Sequence, residues 1–396
     1  MKKLLMVIPL VILLCFNLSC QKQEQVERIM EDGVEVIVNH LEPYKIKGEP
    51  SQLNLDEEFI VDFERDDLAE LGITGTDRFD VDSEGNIYFL ESYRKDNQIF
   101  KLDKHGKFES SFGRGGQGPG ELQEPTNLRI DSLNQVIISD YRRKISIFNE
   151  NGELIKEIKL DSNYGMATLL RNGKILVWKP ISKPEEGIYE YLITLCSADL
   201  EELQILPSVK RTPNIALAKE INPIEIYYYD YFWRISKGII YVGNYRDEYE
   251  LLIYDTEGNL IRKIRKEYEP VQVPNMLKEE ILDRVKKHPM NEELKLKEKV
   301  YFPASYPPYQ FFFVDEENRL YVMTFEKGEG PKDFIYDIFN REGLFVGRMV
   351  LDNCRYWPKS TIKVPSEVVA KNKRLYCLRE KESGYGELVV YKMRWE

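Results

Sequence analysis

The chain has 396 residues, with 56 Lys and Arg against 67 Asp and Glu and a formal charge of −11. A field of that sign repels phosphate backbones, and no Lys/Arg block or RNA-binding motif offsets it locally, so nucleic acid is not an expected partner. The only histidines are His40, His105 and His288, far apart in sequence, which speaks against a His-based zinc site or a Ser-His-Asp triad.

Lys2 and Lys3 precede an apolar run from Leu4 to Leu14, long enough for the core of an export signal and short for a membrane span. Leu18-Ser19-Cys20 resembles a lipobox, whose Cys is diacylated after cleavage, although Asn17 stands where that motif usually has Leu. The expected processing removes residues 1–19 and lipidates Cys20, so that the mature chain meets a membrane through its N-terminal lipid. It then carries 54 basic against 67 acidic residues, or −13. The competing reading is ordinary cleavage near Ser19 with Cys20 left as a free thiol. Residues 20–56 read as a tether, with Glu and Gln near the lipid end, Pro43 and Pro50 breaking regular structure, and one strand at Val34-Glu-Val-Ile-Val38.

From residue 57 to 396 one pattern recurs six times: Asn86-Ile-Tyr-Phe-Leu, Gln135-Val-Ile-Ile-Ser, Lys174-Ile-Leu-Val-Trp, Gly238-Ile-Ile-Tyr-Val, Arg319-Leu-Tyr-Val-Met and Arg374-Leu-Tyr-Cys-Leu. Aligned on their second residues, the copies stand 49, 39, 64, 81 and 55 positions apart. Such a period is the mark of a blade-by-blade β-propeller. The fold class is therefore all-β, a six-bladed propeller in one large domain.

The turns support it. Asp82-Ser-Glu-Gly-Asn86, Asp103-Lys-His-Gly-Lys107, Asn149-Glu-Asn-Gly-Glu153, Asp255-Thr-Glu-Gly-Asn259 and Asn340-Arg-Glu-Gly-Leu344 each place Asp or Asn where a side chain caps a turn and Gly where φ is positive. They lack the run of carboxylates that a calcium loop needs. Two segments break the period, 207–226 and 270–308. The second opens with apolar residues at helical spacing, Met276, Leu277, Ile281, Leu282 and Val285, and continues into the aromatic, Pro-rich stretch from Tyr301 to Tyr309. The last repeat ends one strand short of a blade, and Phe59-Ile-Val-Asp-Phe63 is expected to supply it and close the ring. Cys196, Cys354 and Cys377 are odd in number and widely spaced; Cys196 and Cys377 read as small buried strand residues in preference to a Cys354–Cys377 bridge.

Between the first two repeats runs Phe112-Gly-Arg-Gly-Gly-Gln-Gly-Pro-Gly-Glu-Leu-Gln-Glu-Pro-Thr-Asn-Leu-Arg-Ile-Asp131. This resembles the NHL repeat, whose linker reads Phe-Gly, a Gly-rich stretch, then Pro ahead of the inner strand and its Asp. With its lipobox and its Tyr306-Pro-Pro insertion, the chain resembles the six-bladed NHL-type propeller lipoproteins of Gram-negative anaerobes. The resemblance implies a cell-envelope location. Surface-bound lipoproteins of such bacteria often carry an acidic run after the Cys; here Gln21-Lys22-Gln23 precedes a single Glu24, which favours the periplasmic side of the outer membrane. The glycines of the linker do not make a phosphate cradle, because a strand, not a helix, follows them.

Ser92-Tyr93-Arg94, Asp140-Tyr141-Arg142 and Asn244-Tyr245-Arg246 fall at equivalent corners in blades 1, 2 and 4, just after the second strand. The linker should place Arg114 on the same face, next to these corners and Arg143. Tyr93, Arg94, Arg114, Tyr141, Arg142, Tyr245 and Arg246 thus form a candidate binding rim. An aromatic face beside a guanidinium fork suits a protein, peptide or carbohydrate partner. The bland alternative has each Tyr packing on a neighbouring blade and each Arg pairing with a nearby Asp such as Asp140. The favoured function is a non-catalytic binding or scaffolding lipoprotein without a cofactor. The alternative is a divalent-metal-dependent hydrolase or lyase in the central channel, since lactonase-like propellers hold an ion there through Glu, Asn and Asp. The inner-strand acids Asp80, Asp82 and Asp131, however, align as turn residues. A carboxylate-pair glycosidase is a matter of spatial separation that spacing in sequence does not address.

Overall fold

The computed structural model describes residues 26–396 except 74, 77, 92–96, 142, 161–163, 166, 184–187, 212–223, 226–232, 245–247, 290, 331–332 and 353–367. Six four-stranded antiparallel blades surround a central channel, each running from an inner strand at the channel to an outer strand at the circumference. Blade 1 comprises Phe79–Val81, Ile87–Leu90, Ile99–Leu102 and Phe108–Phe112. Blade 2 comprises Pro125–Ile130, Val136–Asp140, Lys144–Phe148 and Leu154–Lys159. Blade 3 has Ala167–Leu169, Ile175–Lys183, Ile188–Cys196 and Glu202–Arg211. Blade 4 has Trp233–Ser236, Ile239–Asn244, Glu250–Asp255 and Leu260–Lys266. Blade 5 has Phe311–Val314, Leu320–Lys327, Asp333–Phe339 and Phe345–Asp352. Blade 6 has Val368–Lys371, Arg374–Glu380 and Gly386–Trp395, completed by Leu53–Asp62 from the N-terminal segment.

The second strands are continuous apolar runs because blades cover both of their faces; every residue of Ile87–Leu90 and of Val136–Asp140 is buried. Outer strands have one wet face, and Phe108–Phe112 alternates accordingly. The core is therefore six wedges, one between each pair of neighbouring blades. Leu90 and Tyr88 of blade 1 pack on Leu128 and Ile138 of blade 2, Ile193 of blade 3 packs with Val242 of blade 4, and Tyr376 of blade 6 with Phe79 of blade 1.

The Asp and Asn of the turns cap as their spacing suggests. Asp82 Oδ1 accepts from the N–H groups of Glu84 and Asn86 at 2.9 Å, and Asp103, Asn149, Asp255 and Asn340 each take the same two bonds from residues i+2 and i+4. At Asp103 burial works against the charge, yet the N–H groups of Lys107 and His105 prevail and hold its carboxyl below the ordinary range. The outer turns also lock blades together. Gly106 of blade 1 lies on Val61, Gly152 of blade 2 on Phe112, and Gly343 of blade 5 on Ile264, so close that a Cβ would approach those side chains to 2.7, 2.4 and 2.7 Å.

The segment expected as a tether is structured from residue 26 onward, and the closing strand begins at Leu53, ahead of the expected boundary at 57. Glu27–Glu31 and Val34–Asn39 form a hairpin whose second strand pairs parallel to the outer strand of blade 4, giving a six-stranded sheet. Val36 and Ile37 are fully buried there on opposite faces of the strand, and Ile37 joins the core that holds Tyr336, Leu344 and Val346 of blade 5. Asn39, also fully buried, ties the junction: its amide donates to Arg265 O and Gly343 O at 3.0 Å and accepts from Phe345 N at 2.8 Å. The chain then crosses the outer strand of blade 5, where Tyr44 N bonds Phe345 O. It enters blade 6 as an antiparallel strand running from Leu53 opposite Trp395 to Asp62 opposite Glu387.

The period breaks in two ways. Blade 3 lengthens its own strands, out to Lys183 and Arg211, so that the segment expected as an insertion from 207 begins inside the blade. The longer insertion forms a helix, Asn275–Lys286, seated by Ile281 with Leu277 and Val285 packed beside Phe325. Met276, expected on that face, is 79% exposed. The two insertions meet, because Ile224–Glu225 pairs parallel with Val300–Tyr301. Tyr306 stacks on Phe325 at 4.3 Å, so at least this ring of the Pro-rich stretch is packing. Cys196 and Cys377 are buried with free thiols; Cys354 lies outside the described residues.

Candidate functional site

The six inner strands enclose a channel of about 1160 Å³. Its mouth on one face is ringed by the turns between first and second strands, which are laced to one another: Asn134 Nδ2 donates to Ser83 Oγ, Ser236 Oγ to Asp315 O, and Asn372 Nδ2 to Asp82 O. Deeper in, the wall is formed by half-buried Arg78, Thr126, Arg129, Trp178 and Arg234. Trp178 meets Trp233 edge-on at 5.4 Å, and the Arg234 guanidinium lies 4.8 Å from the centre of the Phe311 ring. Backbone carbonyls aim the arginines: Arg78 Nε donates to Thr126 O at 2.8 Å, Arg129 to Leu128 O at 3.3 Å and Arg234 to Trp233 O at 2.9 Å.

The channel acids are engaged. Asp80 is a strand residue, not the turn residue that alignment suggested: it is buried, bonds Lys371 Nζ at 2.7 Å and accepts from Ile130 N at 2.8 Å. Lys371 also donates to Val81 O at 2.7 Å, so one ammonium joins blade 6 to blade 1 and, through Asp80, to blade 2. Asp82 and Asp131 are turn caps as expected. Asp315 caps a turn and accepts from Tyr321 Oη at 2.9 Å; burial pushes its carboxyl up despite those donors. Among the described residues no group of three or more His, Cys, Asp or Glu could hold a metal ion.

The expected rim is only partly described. Tyr93, Arg94, Arg142, Tyr245 and Arg246 lie outside the described residues, as does Cys20. The linker does cross beside the corners, for Asn97 Nδ2 donates to Leu122 O at 3.0 Å and Tyr141 N to Glu124 O at 2.9 Å. Arg114 is on that crossing with its side chain 76% exposed, but Glu121 holds its Nε at 2.7 Å and a second nitrogen at 2.6 Å. The same Glu121 accepts from Gly118 N at 2.8 Å. A carboxylate of the chain itself therefore fills the concavity of the glycine loop. The N–H of Gly118, with Arg114, keeps that carboxyl below its ordinary range. Asp140, completely buried, accepts from the N–H groups of Gln123 and Glu124 and so anchors the linker. Tyr141 has its ring edge beside Gly165, 3.6 Å from where a Cβ on that glycine would lie.

The channel arginines are what sequence reasoning missed. The signal was present as Leu128-Arg-Ile-Asp and Trp233-Arg-Ile-Ser, a basic residue before Ile in the inner strand of two blades. A further buried node between blades 4 and 5 was equally silent. Lys266 lies 3.4 Å from Asp337, which accepts from Tyr249 Oη at 3.0 Å and Arg348 Nε at 2.8 Å. Burial pulls the Lys266 ammonium down while Asp337 opposes that pull, and the node reads as an interior tie.

Residues 80–220 match a family model described as DUF5128, a 6-bladed beta-propeller. The chain is a six-bladed β-propeller. Among solved structures it is similar to a member of the DUF4221 family from Bacteroides vulgatus, with 12% identity, a TM-score of 0.54 and coverage of 88% of this chain and 100% of that one. It is also similar to a Bacteroides fragilis protein described as expected to be exported, with 11% identity, a TM-score of 0.51 and coverage of 91% and 99%. No curated protein matches the sequence. Likeness at these identities concerns the fold of the propeller. No helix among its described residues is long and apolar enough to cross a membrane.

Proposed function

We propose that this is an exported, lipid-anchored binding propeller of the NHL type, without catalysis of its own, whose ligand sits in the central channel. Export rests on Lys2, Lys3 and the apolar run to Leu14, and anchoring on Leu18-Ser19-Cys20, with the periplasmic side of the outer membrane as the destination. The likeness to a protein described in terms of export agrees with this. The linker from Phe112 to Asp131 supports the NHL type.

One observation carries the binding site: a channel of about 1160 Å³ whose half-buried wall presents Trp178 and guanidiniums together with hydroxyls. A large concave site with an apolar lining and a few convergent polar groups is where ligands bind. Of the rim residues described, Arg114 is already paired with Glu121. The metal-dependent alternative is disfavoured because Asp80, Asp131 and Asp315 are engaged by Lys371 or by backbone N–H groups. A glycan and peptide array, probed with the wild type and with Leu169→Trp and Ile235→Trp, tests the reading. Members bound by the wild type should be lost in both folded variants, because each indole fills channel space. Binding that survives both, or an array to which nothing binds, sinks it.

A further inference from the structure

The lipid expected on Cys20 decides which part of the disc meets the membrane. Val26, the first described residue, follows Cys20 by six positions. Six residues reach at most about 22 Å, and a compact body of this length has a radius of gyration of about 20 Å. The side of the ring that holds Val26 therefore stays at the bilayer, and blade 1, on the far side, stays away from it. Val26 leads into Glu27–Glu31, the outermost of the six strands that make up blade 4 and its hairpin. That strand projects past the circumference. Glu27, Arg28, Ile29 and Met30 are exposed in succession, whereas a strand with a blade against one face would alternate.

Three features of this edge suit a lipid surface. Ile29 and Met30, 38% and 67% exposed, put an apolar side chain on each face of the strand. Among the described residues no strand pairs with the outer edge of Glu27–Glu31, and an edge in that condition needs cover. The four acids from Glu27 to Glu35 are matched by Arg28, Arg262, Lys263 and Arg265, so this edge carries none of the surplus that gives the chain −11. The two faces of the disc are less suited. Glu27 pairs with Val38 and Val38 with Arg265, which puts Val26 at the end of blade 4 away from the turn-side mouth. That mouth lies a strand's length off, about 20 Å, which would use up the whole leash. The face at the near end carries the helix Asn275–Lys286, where Met276 stands among exposed Glu279, Glu280, Asp283, Arg284 and Lys286. We propose that the disc stands on its edge, with Ile29 and Met30 in the bilayer interface and the channel axis parallel to the membrane, so that both mouths open to water. This rests on the reading of Cys20 as lipidated.

Quenching by nitroxide-labelled lipids tests it. The acylated full chain carries Cys354→Ser, which leaves the buried Cys196 and Cys377, and a fluorophore on one introduced cysteine, in vesicles of phosphatidylethanolamine and phosphatidylglycerol. Flotation with the vesicles and the intact mass establish that the protein is anchored and that Cys20 is acylated. Interfacial segments sit about 5–10 Å deep, so a label in Met30→Cys should be quenched at least about threefold more than one in Met276→Cys, Leu133→Cys or Ser111→Cys. A label at Met276 or Leu133 quenched as strongly as one at Met30 lays the disc on a face and overturns the proposal. A Met30 label left unquenched in an anchored protein also overturns it, while the anchor stands. Protein that bears no acyl group on Cys20 removes the anchor and the proposal together. Ile29→Glu with Met30→Glu, at two exposed positions, separates contact from mere tethering. In that background a label in Glu27→Cys should lose at least about half of its quenching while the protein still floats, because charge replaces the apolar contact. Unchanged quenching would show that the leash alone holds this edge down, and the contact would fall.

Discussion

Leu53–Asp62 and the hairpin of Glu27–Glu31 and Val34–Asn39 belong to one stretch of chain, yet they join the disc on different terms. Leu53–Asp62 fills a vacancy: blade 6 has three strands of its own, and Val61 and Phe63 enter the wedge against blade 1. The hairpin adds to a blade that already has four, running parallel to its outer strand and covering an edge. One contact makes the ring a ring, and the other shields a side of it. The same peptide can thus be obligatory at one end and auxiliary at the other.

Removing residues 1–63 should break the comparison most forcefully. Burial of Leu53, Val61 and Phe63 alone is worth about 5–9 kcal/mol, comparable with the whole stability of a domain. Such a chain should show no cooperative transition by circular dichroism. Removing only residues 1–38 should cost less, about 3–6 kcal/mol from Val36 and Ile37, and leave one sharp transition at lower temperature. If the shorter deletion also abolishes folding, the hairpin is not auxiliary. Asn39→Ala strips donors from Arg265 O and Gly343 O and an acceptor from Phe345 N. It should cost about 1–3 kcal/mol in chemical unfolding, since the groups left behind are buried.

The finest test is by pH. Hydrogen bonds from Arg265 and Lys263 lower the Glu31 carboxyl from 4.5 to about 2 in the folded protein. A depressed carboxyl contributes stability that is full above the unfolded value and is lost as pH falls through the folded one. Protection of the hairpin amides against hydrogen exchange should therefore decline between about pH 4.5 and 2 in the wild type, ahead of the blades. In Glu31→Gln that decline should shrink to the part that Glu35, held low by Arg28 and Arg262, still contributes, with protection at neutral pH slightly reduced. An identical pH profile in the two proteins would show that the ion pairs of the hairpin are ornamental.

Local features were the legible ones. Strand cores and Asp or Asn caps depend on residues two to four apart, and the missing strand of the last blade followed from counting. The docking of Val34–Val38 did not, because Glu35 pairs with Arg262, far along the chain. Asp80 and Asp82 lie two positions apart and do different work, since a strand ends between them; only the position of Lys371 distinguishes the ion pair from the cap. Arg114 invited a binding role until the loop folded Glu121 back onto it. Arg129 and Arg234 look like ordinary strand charges until the ring turns their strands toward a shared channel.

The outer turns have a consequence for how the molecule is made. Gly152 rests on Phe112 and Gly343 on Ile264, so at these junctions a blade is seated on one that precedes it in sequence. A chain emerging from its N-terminus finds each platform built before the tile that overlaps it. Gly106 obeys the same order, since Val61 beneath it is earlier still, although Val61 belongs to the last blade. Assembly can therefore proceed as roofing does, course by course, with the first overlap laid on a lone strand. The final three strands must then slide into a slot already bounded on both sides, which makes the arrival of the C-terminus the committing step.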